Sequence, residues 1–294
     1  MKWFDEYRAS LKMIEVEEYL DLVFYRPLAF LLVKAIYPTS LTPNQLTVIA
    51  LVCGVIGGVL FGFGSPFLLI IAAVLLVLYD VIDCSDGMLA RLKKNGTRTG
   101  RILDGVADYI VLATVYVGIG IGFVRSTDDP ALWWGLLIAA AASNTVHAIL
   151  VDYYRNLFLD IVLQRKSTFE EDLDAFEEEV AEMKREGGHY FDRLIIGIYL
   201  RYSRLQRNLT SGQNEHAELP QTEPDEYYRR NRLILRLWLL LGPTTQLTFL
   251  IVCAFFNRMD IYIIGMISVA NLWAIVLYLI QYRINLNALP AKSS

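Results

Sequence analysis

The sequence predicts an all-α integral membrane protein, with six transmembrane helices behind an N-terminal interfacial amphipathic helix. Three observations carry that prediction. The 294 residues are 55% hydrophobic, with a mean hydropathy of +0.39, too apolar for an ordinary soluble domain. Six apolar runs approach or exceed the ~20 residues that cross a bilayer. Lys and Arg, finally, are crowded into alternate loops.

The expected spans are 46–63, 67–81, 103–124, 132–151, 233–256 and 261–280. With six spans both termini share a side. Nearly all Lys and Arg fall in the N-terminal segment, the 93–101 loop, the 155–232 segment and the C-terminus, whereas the other loops hold only Arg125 and Arg258. The positive-inside rule therefore puts the termini and the 93–101 loop in the cytoplasm. Two glycosylation-like triplets, NGT at Asn95 and NLT at Asn208, fall on that same side and are read as unmodified.

Residues 1–40 form an N-terminal cytoplasmic and interfacial region. It starts charged, with no cleavable signal pattern. Its stretch YLDLVFYRPLAFLLVKAIYP, charged at Arg26 and Lys34, reads as a helix lying in the membrane interface and interrupted at Pro27. Residues 41–294 form the six-helix domain, with a cytoplasmic insert at 164–232. The insert reads as a charged helix, a basic amphipathic helix and a flexible loop. The net charge of −4 calls for no nucleic-acid partner. Cys53, Cys84 and Cys253 fit neither a disulfide framework nor a zinc spacing, and read as small buried residues.

The chemistry is concentrated in DCSDGMLARLKKNGTRTGRILDGVAD, residues 83–108. Asp83, Asp86, Gly87, Ala90 and Arg91 fall within about 140° of one helix face at about 100° per residue. Gly100, Asp104 and Asp108 step by four along the next helix. Two such stripes joined by a short loop face each other, which brings four carboxylates together at a membrane boundary. Each carboxylate costs about 2.5–3.5 kcal/mol at mid-membrane, less near the boundary, and like charges repel. Oxygen-only ligands suit Mg²⁺ or Mn²⁺, and two divalent ions would balance four aspartates, the arrangement that clamps a phosphoryl displacement. Gly87 and Gly100 leave the backbone open to a ligand, Ala90 keeps the face shallow, and Arg91 is placed to grip phosphate. Close helix packing is the plainer reading of the glycines alone.

This stretch matches D-x2-D-G-x2-A-R-x8-G-x3-D-x3-D at every fixed position. It resembles the CDP-alcohol phosphotransferase family, integral membrane enzymes with a six-helix core. A second piece, TPNQLT at 42–47, resembles the segment through which such enzymes contact the nucleotide, with Asn44 and Thr47 as candidates. Thr42 also reads as a helix N-cap followed by Pro43.

The resemblance implies transfer of a substituted phosphoryl group from a CDP-linked lipid or CDP-alcohol to an alcohol acceptor, with release of CMP. It implies that Asp83 and Asp104 touch both metals, that Asp86 completes one and Asp108 the other, and that Asp108 is the general base. It further implies that Gly87, Arg91 and Thr97 hold the CDP portion, with Gly100 allowing its approach, and that the enzyme is a homodimer among membrane lipids. Two rival classes fit less well. An intramembrane prenyltransferase resembles paired aspartate motifs on distant helices, and a cation transporter leaves Arg91 and the glycines unexplained. Elsewhere, Asn144 and His147 with Asp152, Tyr153, Tyr154 and Arg155 mark the fourth span as the level of an acceptor pocket. Arg155 or Arg236 reads as a phosphate ligand or as an interfacial snorkelling residue. Gln246 and Asn271 read as interhelical hydrogen-bond partners.

Overall fold

The computed structural model describes residues 2–11, 13–164 and 223–286, with isolated positions between 180 and 200. Of the insert expected at 164–232, residues 165–222 lie outside the described residues apart from those isolated positions, and the end of the expected loop is instead helical from Pro224, where Pro can start a helix. The N-terminal region holds α1 (Lys2–Ser10) and α2 (Arg26–Ile36). Then follow α3 (Pro43–Phe61), α4 (Pro66–Lys93), α5 (Arg98–Gly122), α6 (Pro130–Val162), α7 (Pro224–Trp238), α8 (Pro243–Phe255), α9 (Met259–Gly265) and α10 (Asn271–Leu286).

Six stretches are long and apolar enough to cross a membrane: Pro43–Phe61, Pro66–Lys93, Ile102–Ser126, Pro130–Val162, Pro224–Phe255 and Met259–Asn285. The protein is thus an integral membrane protein by length and composition. Two helices outrun their apolar runs. The second continues from the expected end at 81 through Gly87 to Lys93, and the fourth from 151 to Val162, over residues that include no Pro to end either helix.

Helix α3 packs closely against both α4 and α5. Gly54, Gly58 and Gly62 recur every four residues along α3 and let α5 approach to backbone contact. A Cβ on Gly118 would lie 2.0 Å from the Gly58 carbonyl oxygen, and one on Gly122 would lie 1.9 Å from that of Phe61. The outer faces carry exposed Val48, Val52, Val59, Ile70, Val74 and Leu78, the side chains that lipid would solvate.

The N-terminal helix is not interrupted at Pro27. A π-helical turn over Asp21–Tyr25 runs straight into α2. Pro27 then falls in the first turn of α2, where a missing N–H and a fixed φ are tolerated. Tyr25, Ala29, Phe30 and Val33 are buried against α4, while Val23, Phe24 and Leu31 remain exposed.

A real break lies inside the fifth span. A 3-10 turn at Leu239–Leu241 and Gly242-Pro243 separates α7 from α8. The N-terminal segment repairs this break. Buried Glu18 accepts hydrogen bonds from the backbone N–H of Thr244 (3.3 Å) and Thr245 (2.8 Å) and from the Thr245 hydroxyl (2.8 Å). Burial, then the neighbouring Asp21 carboxylate, pushes Glu18 up to about 7. On the other side of the break, Gln246 Nε2 donates to the Leu241 carbonyl at 2.6 Å. The polar residues read as interhelical partners do pair. Asn144 donates to Gln246, and His147 meets Asn271, which donates to Ser143.

Gly118→Ala should push α3 and α5 apart and destabilise the bundle by about 1–3 kcal/mol. Gly135→Ala, where an added Cβ meets nothing within 4 Å, should not destabilise it. Thermal unfolding in detergent reads both, and equal melting temperatures would show that the α3–α5 crossing is not tight.

Candidate functional site

Three helix ends meet at one end of the bundle: the starts of α3 and α5 and the end of α4. Each is fixed by local sequence. Thr42 and Gln45 form a reciprocal capping box at the start of α3, with Pro43 behind it. Helix α4 ends because Lys94 adopts a left-handed conformation (φ 53°), while its N–H and that of Asn95 return to the Ala90 carbonyl. Lys93 ties this end to the α2–α3 connection, donating to the Thr39 and Leu41 carbonyls at 3.1 and 3.0 Å. Thr97 then caps α5 by accepting from Gly100 N at 3.0 Å.

The carboxylates converge as their spacing predicts. Asp83, Asp104 and Asp108 each place an oxygen within 4.8 Å of the other two. Oxygens around one Mg²⁺, at about 2.0–2.1 Å from the ion, are separated by up to about 4.2 Å. The cluster is on that scale, and its all-oxygen donor set fits a hard divalent cation. Asp86 is buried beside it, and its Oδ2 accepts from the Thr47 hydroxyl at 2.5 Å. The Tyr79 hydroxyl donates to Asp108 Oδ1 at 2.5 Å. These two bonds fix the rotamers of Asp86 and Asp108, the kind of outer support that metal ligands need.

The residues expected to meet a nucleotide border this cluster. Asn44 lies against Gly100, where a Cβ would come within 2.7 Å of the Asn44 Oδ1. The Arg91 guanidinium folds over Gly87, 3.4 Å from where a Cβ would stand. Its Nε donates to the Ser10 carbonyl, which holds the arginine in place from the N-terminal segment. Ala90 is half-buried on the same face and Thr97 is exposed beside its cap. The starts of α3 and α5 both present positive dipole ends here, so the rim favours an anionic ligand. The Thr47 hydroxyl, at the start of α3, goes to Asp86.

Sequence reading missed Tyr79 and a second acidic group on the next stripe of α4. Asp80 and Cys84 face Asp21 of the N-terminal segment, beside Glu17, Glu18 and Arg26. A carboxylate inside an apolar run was the available signal for Asp80. The two arginines read as phosphate ligands are directed at the N-terminal segment. Arg236 donates to the Glu17 and Ile14 carbonyls at 3.1 and 2.8 Å, and Arg155 lies 3.9 Å from Glu18.

Residues 40–163, the segment that contains this site, match the family model described as CDP-alcohol phosphatidyltransferase. Over 125 residues, 42% of this chain, the sequence is 34% identical to a phosphatidylinositol phosphate synthase of Corynebacterium glutamicum and 30% identical to one of Mycolicibacterium smegmatis. The match spans about half of each relative's length, 54% and 53% respectively.

If the cluster is a cation site, Mn²⁺ titrated into the purified protein should bind and lose its free-ion electron paramagnetic resonance signal. Tyr79→Phe should weaken that binding about tenfold, and Asp104→Asn should weaken it further. Unchanged binding in Asp104→Asn would remove the cluster from consideration.

Proposed function

We propose that the CDP-alcohol phosphatidyltransferase domain at 40–163 transfers a substituted phosphoryl group from a CDP-linked lipid or CDP-alcohol to an alcohol, releasing CMP, as a step in phospholipid synthesis. The observation that carries this is the convergence of Asp83, Asp104 and Asp108 within 4.8 Å, bordered by a nucleotide rim of Asn44, Gly87, Arg91 and Gly100. The family match and the two phosphatidylinositol phosphate synthases support the same reaction class. A prenyltransferase or a transporter leaves both the rim and the match without explanation.

In this reading Asp83, Asp86, Asp104 and Asp108 hold two divalent cations, Mg²⁺ or Mn²⁺. When bound, those ions supply charge neutralisation for the pyrophosphate and the departing CMP. The residues do the rest. Gly87 and Gly100 leave the nucleotide room to lie against the two helices. Arg91, held through Nε by Ser10, keeps the remaining face of its guanidinium for phosphate oxygens. Asn44 and Thr97 flank the cytidine side.

The acceptor hydroxyl attacks the phosphorus farther from cytidine. Its proton passes to Asp108, the bond from that phosphorus to the bridging oxygen breaks, and CMP leaves with that oxygen. Tyr79 donates to Asp108 Oδ1 and so leaves the second oxygen to receive the proton. The excess of Lys and Arg around the 93–101 loop and the termini supports a cytoplasmic location for this chemistry.

The test is CMP release by purified protein given CDP-diacylglycerol or CDP-alcohols with a panel of alcohols. Asp83→Asn and Asp104→Asn should each lower turnover by a factor on the order of a hundred or more, with normal membrane insertion. Removal of divalent cations by EDTA should stop the reaction, and Mg²⁺ or Mn²⁺ should restore it. Near-normal turnover in Asp104→Asn would sink the mechanism.

A further inference from the structure

One turn from the proposed active site, on a different stripe of α4, lies a second group of ligand-type side chains. Asp21, Asp80 and Cys84 each place one ligand atom within 4.8 Å of the other two. Asp21 and Asp80 are only 7% and 6% exposed. Asp80 Oδ2 is buried with no hydrogen-bond partner among the described residues. A buried carboxylate oxygen without a donor or a cation is costly to keep, so this atom needs an explanation.

The surrounding charges do not supply one. Glu17 pairs with Arg26 at 2.9 Å. Glu18 has Arg155 at 3.9 Å in addition to its backbone donors on α8. Among the described residues each glutamate has a guanidinium within 4 Å, Arg26 or Arg155, and neither Asp21 nor Asp80 has one. Asp21 has the Thr244 hydroxyl at 3.3 Å, which is a donor but not a charge. Two carboxylates remain without a cation of their own, and one divalent ion would balance them.

We propose that Asp21, Asp80 and Cys84 form a zinc site that fastens the N-terminal segment to α4. The donor set selects the metal. A thiolate beside two carboxylates suits Zn²⁺, whereas the oxygen-only cluster of Asp83, Asp104 and Asp108 suits Mg²⁺ or Mn²⁺. The distances agree as well. Zinc bonds of about 2.3 Å to sulfur and about 2.0–2.1 Å to oxygen, at a tetrahedral angle, place S and O about 3.6 Å apart. Cys84 Sγ and Asp21 Oδ1 are 3.7 Å apart. Cys84 binds zinc as the thiolate and loses its proton to solvent on loading.

The site has a structural purpose. It joins Asp21, in the π-helical turn, to α4 at Cys84, one turn before Gly87 and two before Arg91. The same N-terminal segment holds Arg91 through Ser10, so the ion would steady the segment that positions the motif arginine. This proposal does not depend on the reaction proposed above.

The full-length protein, purified with Mg²⁺ present throughout, should contain about one zinc per chain by plasma mass spectrometry. Cys84→Ala, Asp80→Asn and Asp21→Asn should each lose that zinc, and Asp104→Asn should keep it. Cobalt loaded into the wild-type protein should give a thiolate-to-metal charge-transfer band that Cys53→Ala retains and Cys84→Ala loses. Wild-type protein without zinc and without the cobalt band overturns the proposal. In that case the 3.7 Å contact is a thiol donating to Asp21. Zinc that persists in all three cluster variants overturns it equally. The cobalt measurement stands even where a cluster variant does not fold.

Discussion

Carboxylates inside an apolar bundle are the constraint on which the rest of this structure depends. Each is expensive to bury, and neighbouring ones repel. The fold tolerates them by supplying donors at fixed positions. Thr47 of α3 answers Asp86 of α4, and Tyr79 of α4 answers Asp108 of α5. Each bond joins two different helices, so the same contacts that make the acids tolerable also set how α3, α4 and α5 sit against one another. What these donors leave over is negative charge at three converging aspartates, the charge that the proposed cations would balance.

Such an arrangement needs helices that cannot drift. The glycine row of α3 provides this by letting the α5 backbone rest on α3 with no side chain between them. A backbone contact has no rotamers to rearrange, unlike a leucine seam. The hydroxyl of Thr47 reaches Asp86 because its helix start is fixed by the Thr42 capping box. The helices that carry the site are therefore held by backbone contacts farther along the bundle, whereas the outer faces that meet lipid carry interchangeable Val, Ile and Leu.

Much of this is legible in the sequence, for a definite reason. The spans follow from composition, and the stripes Asp83–Asp86–Gly87–Ala90–Arg91 and Gly100–Asp104–Asp108 follow from helical period alone. Both are local properties. What period cannot give is the identity of the partner across an interface. Nothing near Thr47 in the sequence points to Asp86, 39 residues away, which takes its hydroxyl. Tyr79 is one more aromatic residue in an apolar run until Asp108 lies opposite it. Arg236 reads as a phosphate ligand or a snorkelling residue, and it is directed at carbonyl groups 219 and 222 residues away. Pro27 reads as a break because the π-helical turn that precedes it leaves no periodic trace.

The N-terminal segment shows how far such distant partners reach. It precedes every membrane span, yet it supplies Glu18 to cap the break in the fifth span, Asp21 to face Asp80 and the Ser10 carbonyl to hold Arg91. A helix interrupted at Gly242-Pro243 leaves backbone N–H groups that lipid cannot satisfy, and a carboxylate is the strongest acceptor available for them. Gly242 makes the approach feasible, since a Cβ there would lie 2.1 Å from Glu18 Oε1. The break and the acid therefore require each other. A chain lacking this segment would leave α8 uncapped and Arg91 unheld at once. The bundle and the rim of its site thus depend on residues that precede the first membrane span.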